Sequence, residues 1–242
     1  VIHLAGENRP IDVSAFNTVN VDLTKTLCDA IRATGRQIAL ILSSSIQADM
    51  NNPYGKSKRA AEDIVKQLAK ETGNPVYIYR LPNVFGKWCK PNFNSVVATF
   101  CYNISHNLPI QVNDSSFKLR LVHVDDVVEE FISIVQGKTL NNREPSIQPE
   151  YKITVGELAD QIKRFHDSRN SLISERVGDG LIRKLYSTYV SYFSAEHFSY
   201  SIPTHGDERG ISCIPIFQTT TPHVALGEDD VFTQHWTILR EI

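Results

Sequence analysis

Gln37-Ile-Ala-Leu-Ile-Leu-Ser-Ser-Ser-Ile-Gln-Ala-Asp-Met-Asn-Asn-Pro-Tyr-Gly-Lys-Ser-Lys58 changes pattern halfway along. From Gln37 to Ser45 it is largely apolar and ends in three serines, the composition of a strand covered on both faces. A short polar link follows. From Lys56 to Thr72, Ala60, Ala61, Ile64, Val65, Leu68 and Ala69 recur at helical spacing, and Gly73 and Pro75 stop the helix. Tyr54 and Lys58, four apart, share one face of that helix. An ammonium beside a phenol favours phenolate, and a tyrosine so tuned can move a proton to or from a carbonyl or alcohol oxygen. Ser45, closing the strand, can donate a hydrogen bond to the same oxygen. The plain alternative for Tyr-x-x-x-Lys is a solvated helix face; the serine-ended strand just before it is what favours chemistry.

The neighbouring segments extend the alternation. Val1–Leu4 is a short apolar strand, and Thr18 to Ala33 has helical spacing with Gly35 as its stop. Val76–Arg80 is β-branched and aromatic, a further strand. Ser95–His106 and Asp125–Gln136 read as helices. Strands alternating with helices specify an α/β fold, a Rossmann-like doubly wound parallel sheet. Ligands bind at the carboxyl ends of such strands, which singles out Leu4–Gly6, Ser43–Ser45 and Arg80–Gly86. Beyond Gly137, Leu140–Tyr151 reads as a loop, and Thr154-Val-Gly-Glu157 is a capping box opening a helix to about His166. The tyrosines and phenylalanines of Tyr186–Tyr200 read as core or interface. The expected division is 1–137 for the partial dinucleotide-binding domain, 138–205 for a small mixed substrate-binding region and 206–242 for an irregular tail.

The 242 residues carry a net charge of −2, which gives no electrostatic case for nucleic acid or anionic lipid. The longest apolar runs are too short to span a membrane, and no signal-peptide pattern opens the chain. Four cysteines without a Cys-x-x-Cys pair read as idle thiols, and the expected location is cytoplasmic. His205, His223 and His235 fit no compact metal site, so no metal is expected. Asp125 and Asp126 read as helix-dipole partners rather than a carboxylate dyad. For His123 a hydrogen-bonded structural role and substrate contact stay open. Asn94 is expected to cap the helix from Ser95, and helix N-termini favour phosphate.

On five ordered segments the chain resembles an extended short-chain dehydrogenase/reductase. These are His3-Leu-Ala-Gly6, Asn20-Val21, the Ser43–Ser45/Tyr54/Lys58 set, Arg80-Leu-Pro-Asn-Val-Phe-Gly86 and Leu121-Val-His-Val-Asp-Asp-Val127. Ser43-Ser-Ser-Ile-Gln47, Phe85-Gly-Lys-Trp-Cys-Lys-Pro-Asn92 and Leu185-Tyr-Ser-Thr-Tyr189 resemble, more closely, a bifunctional bacterial subgroup of UDP-N-acetyl-L-fucosamine synthesis, over Val1 to about Gly210. The resemblance implies reduction of the C4 ketone of a UDP-linked 2-acetamido-2,6-dideoxy-hexulose, for capsule or O-antigen. The cofactor implied is NADP(H), with NAD(H) left open. It implies Ser45, Tyr54 and Lys58 as catalytic residues. Leu4, Ala5, Gly6, Ser43, Tyr54, Lys58, Leu81, Pro82 and Asn83 would hold the cofactor. Ser45, Gln47, Asn83, Lys87, Asn94 and His123 would meet the UDP-linked amino sugar, with Lys87–Ser95 as the diphosphate loop. A homodimer is compatible with this reading; nucleic acid and membrane are not expected partners.

Two features depart from that family. No Gly-x-x-Gly-x-x-Gly turn is present, so the sheet is expected to lack its N-terminal βαβ unit and the chain to bind NADP(H) poorly, with little turnover. Asp207-Glu-Arg-Gly210 resembles the start of the subgroup's zinc-binding cupin, but Ile211–Ile242 does not continue it, so 206–242 reads as a remnant or truncated start of that domain. Two alternatives stay open: a nucleotide-sugar epimerase or dehydratase of the same fold, and a non-catalytic remnant. Dehydratases place acidic residues after the catalytic Ser or Thr, whereas Ile46-Gln47 follow Ser45 here.

Overall fold

A computed structural model describes residues 1–137 and 145–202, and the backbone of 205–207, 210–212 and 216–217. The chain forms two compact units interleaved in sequence: Val1–Val84 with Arg120–Tyr151, and Phe85–Leu119 with Lys152–Ile242.

The first unit is built on three parallel strands in the order β1 (Ile2–His3), β2 (Leu40–Ser45), β3 (Val76–Leu81). The register pairs His3 with Leu42, and Leu40 through Ser45 with Val76 through Leu81. Successive strand residues face opposite sides, and β2 divides accordingly. Leu40 and Leu42 pack with Cys28, Ile31, Val65 and Leu68, from helices α1 (Leu23–Ala33) and α2 (Pro53–Thr72). Ile41 packs on the other face with Tyr79, Val127, Phe131 and Ile134, the last three from α4 (Val124–Val135), and with Ile147. Helices therefore cover both faces, as the unbroken apolar run of β2 requires. Each aliphatic side chain buried this fully contributes about 1.5–3 kcal/mol.

Local signals set the helix ends. Asn52 Oδ1 accepts the Gly55 N–H at 2.7 Å, Pro53 takes the first helical position, and Gly73 closes α2 at a φ of 71°. The helix expected from Thr18 starts instead as a wider π-type turn, Phe16–Asp22, that runs into α1. The strand expected from Gln37 begins at Leu40.

Further strands β4 (Asn83–Phe85), β5 (Lys118–His123) and β6 (Tyr151–Thr154) form a sheet in that order. In the second unit, α3 (Val96–Ser105), α5 (Val155–Ser171) and α6 (Gly180–Val190) pack together. Both bonds of the Thr154–Glu157 capping box form. Phe165 meets the rings of Tyr186 and Tyr189 at centroid distances of 5.2 and 5.9 Å, so these two pack inward, whereas Phe198 and Tyr200 of the same stretch are exposed. The Tyr192 hydroxyl donates to Cys89 O at 2.6 Å. Short strands β7 (Ile173–Ser174), β8 (His205–Asp207), β9 (Gly210–Ser212) and β10 (Ile216–Phe217) pair β7 with β10 and β8 with β9. His223, His235 and most of the tail expected to be cupin-like lie outside the described residues, as does the 140–144 part of the expected loop. Among the described residues no helix is long and apolar enough to cross a membrane.

Candidate active site

The carboxyl ends of β1 and β2 meet the first turns of α2. Lys58 is 8% exposed, and its Nζ donates to Ser43 O at 2.9 Å. An ammonium carries three donors, and Ser43 O is its one hydrogen-bond acceptor among the described residues. Leu4, Ala5 and Gly6 follow β1 and are exposed. A Cβ at Gly6 would lie 3.1 Å from Asn20 Oδ1 and 3.3 Å from Lys58 Nζ, so the bare backbone there keeps open a space beside the ammonium. Asn20 braces this corner. Its Nδ2 donates to Glu7 O at 3.0 Å and Ser57 Oγ at 2.9 Å, and its Oδ1 accepts the Glu7 N–H at 2.7 Å.

Tyr54 is half-buried, its ring 5.8 Å from that of Phe16. Burial raises its phenol above the usual value, and a hydrogen bond with the Ser45 side chain only partly offsets that. The expected depression by Lys58 is therefore not what the structure has. The ammonium is drawn to Ser43 O, and its charge acts instead on His3, whose ring is held low first by burial and then by Lys58. Lys58 itself is lowered by burial, against a smaller upward pull from Glu62. At neutral pH the site thus holds Tyr54 as a phenol, a proton donor beside the Ser45 hydroxyl.

The other expected site residues divide. Gln47 is exposed and gives its N–H to Ser45 Oγ at 3.2 Å. Leu81 stands opposite Ser45 in the β2–β3 register, with Pro82 next to it. Asn83 is exposed, and its Nδ2 donates to Arg120 O at 3.2 Å. His123 is 4% exposed, and its Nδ1 accepts the Asp125 N–H at 3.3 Å, a cap for α4. Lys87 and Asn94 belong to the second unit. Lys87 Nζ lies 5.1 Å above the exposed Trp88 ring. Asn94 does not cap α3: Ser95 does, with extended backbone and its hydroxyl accepting the Ala98 N–H at 3.2 Å. The residue that the sequence reading passed over is Glu62; Ser44 and Arg80 lie in the stretches it singled out but were given no role of their own. Glu62 continues the Tyr54–Lys58 stripe at the same four-residue step, which was the available signal. Among the described residues no His, Cys, Asp and Glu group could hold a metal.

Residues 1–144 match the model of the NAD dependent epimerase/dehydratase family. The chain is 48% identical over 240 residues to UDP-2-acetamido-2,6-beta-L-arabino-hexul-4-ose reductase of Pseudomonas aeruginosa, covering 99% of this chain and 63% of that protein. The likeness therefore runs on into the tail instead of ending near Gly210. Among solved structures, the capsular polysaccharide assembling protein CapF of Staphylococcus aureus is similar, with a TM-score of 0.75 and 40% identity over 87% of this chain and 56% of that one. UDP-glucuronic acid 4-epimerase of Bacillus cereus in complex with NAD has a TM-score of 0.65 at 15% identity, over 79% of this chain and 73% of that one, a likeness of fold. The chain spans less than two thirds of the length of the reductase and of CapF. With more than half of its residues matched to the family model, and a parallel sheet with Ser45 at a strand end and Tyr54 and Lys58 on the helix that follows, the chain belongs to the NAD dependent epimerase/dehydratase family.

Proposed function

We propose that the protein reduces the C4 ketone of a UDP-linked 2-acetamido-2,6-dideoxy-hexulose, in capsule or O-antigen sugar synthesis. The observation that carries this reading is a Tyr54 phenol held protonated beside Ser45, one turn from a nearly buried Lys58 with a single acceptor. A ketone reductase needs a proton donor at the ketone oxygen, and the Tyr54 phenol, protonated at neutral pH, can serve as one. The 48% identity to a UDP-hexulose 4-ketone reductase supports the substrate.

The opening at Leu4–Gly6, beside the spare donors of Lys58, suits a nicotinamide ribose. NADPH bound there would supply hydride to the ketone carbon. Lys58 would bind the ribose hydroxyls with the donors that Ser43 leaves unused, while Ser43, Leu81, Pro82 and Asn83 would border the ring. Ser45 would donate a hydrogen bond to the ketone oxygen. Tyr54 would pass its phenolic proton to that oxygen as negative charge develops. Such general acid catalysis contributes about 10²–10⁴-fold. Gln47, Lys87, Asn94 and His123 are the proposed sugar and diphosphate contacts.

Tyr54→Phe, made in the complete protein, tests the reading. Ketone-dependent oxidation of NADPH should fall by about 10²–10⁴-fold, while NADPH binding, followed by its fluorescence, stays unchanged. Unchanged turnover would overturn the assignment.

A further inference from the structure

Glu62 lies one turn beyond Lys58 and two beyond Tyr54 on α2. It is 1% exposed, where an unpaired carboxylate would be costly. Three groups hold it. Arg80 donates through Nε to Oε1 at 2.9 Å and through Nη2 to Oε2 at 2.7 Å, and Ser44 Oγ donates to Oε1 at 2.5 Å. Lys66 Nζ stands 3.6 Å from Oε2. Arg80 is itself fixed by Asp49, with contacts at 2.9 and 3.0 Å. Burial alone would raise the Glu62 carboxyl; the hydrogen bonds from Arg80 and Ser44 outweigh it and hold the group low, ionised at neutral pH.

Ser44 is the residue between the two points where β2 serves the site. The Ser43 carbonyl takes the Lys58 bond, and the Ser45 hydroxyl meets Tyr54. This end of β2 has strand pairing on one side only. β3 pairs as far as Ser45, but β1 reaches only Ile41 and Leu42. β1 adds the Ser43 Oγ bond to His3 O at 3.3 Å, and the tie from α2 at Ser44 restrains the strand one residue further on. We infer that Glu62, clamped by Arg80, is a positioning residue. It holds the Ser43–Ser45 end of β2 against α2, so that Ser45 meets Tyr54 and the Ser43 carbonyl meets Lys58. The inference rests on the reductase reading of those three residues.

Two variants test it in the full chain: Ser44→Ala, which removes one hydroxyl, and Glu62→Gln, which keeps the shape and loses the charge. The first readout needs no turnover: NMR titration of the Lys58 ε-carbon and the Tyr54 ζ-carbon. Glu62→Gln should lower the Lys58 midpoint further, since Glu62 now pulls it up. Both variants should raise the Tyr54 midpoint as the Ser45 bond loosens. In turnover, kcat should fall by about 10–100-fold, with KM for the ketone within about threefold. Folded variants with unmoved midpoints and unchanged kcat would overturn the inference, as would a lower melting temperature alone. If Glu62→Gln fails to fold, an unmoved Tyr54 midpoint in Ser44→Ala overturns it by itself. If the midpoints move but Tyr54→Phe leaves turnover intact, the clamp stands and the reductase reading falls.

Discussion

Lys58 occupies its place at a thermodynamic loss. Burial disfavours its charged form, and Glu62 offsets only part of that. Replacing it by Met, of similar length and without charge, should raise stability by about 1 kcal/mol while removing the proposed ribose contact. The sign with pH follows from its lowered value. Between that value and the ordinary 10.5, the unfolded chain binds more protons than the folded one, so native stability rises as pH climbs through the window. The advantage of Lys58→Met should therefore be largest at neutral pH and shrink on going alkaline. Urea melts of both proteins across that range check this; a Met variant less stable at neutral pH would contradict it. Ser45, Tyr54 and Lys58 were legible in the sequence because a four-residue step and a serine-ended strand are local patterns. The direction of Tyr54's shift was not. Spacing shows that two groups share a face, but not that the ammonium turns to Ser43 O instead.

The start of α2 shows how an element holds a site. Gly55 packs on the turn Ile46–Asp49 that leaves β2. A methyl there would lie 2.2 Å from Gln47 O and 2.6 Å from Met50 O, both backbone atoms that cannot swing aside. Gly55→Ala should therefore cost about 3 kcal/mol and displace Tyr54, its neighbour in sequence. Chemical denaturation measures the first effect, and the near-ultraviolet signal of the tyrosines the second; a loss below about 0.5 kcal/mol would show that the turn yields. At this scale the sequence was read well at Thr154 with Glu157 and at Gly73, whereas the start of α2 was expected at Lys56 and is set by Asn52 and Pro53. The sequence was read less well at Asn94-Ser95, two good caps side by side, where the turn geometry chooses the hydroxyl. The π-type start of α1 leaves no periodic trace over seven residues.

At the scale of the molecule, the parallel sheet and its helices on both faces followed from alternating strand and helix patterns. The interleaving of the two units did not. The sequence suggests one domain over 1–137, whereas Phe85–Leu119 clusters with the other unit and Arg120–Tyr151 returns to the first, where Val127, Phe131, Ile134 and Ile147 join the core of Ile41 and Tyr79. Such returns depend on long-range packing, which no local pattern encodes. A chain ending at Leu119 should consequently be open to protease around β2 and β3, whereas one ending at Tyr151 should be protected there. Limited proteolysis with mass analysis of the cuts decides this; equal protection would show that α4 adds nothing to the core. The two faces of this sheet also differ in time. Both helices that cover Leu40 and Leu42 have been made once α2 is complete. The side bearing Ile41 and Tyr79 must wait for α4 and Ile147. At about 5–20 residues per second, a ribosome leaves that side bare for several seconds, long enough to make it the surface a chaperone would meet on the nascent chain.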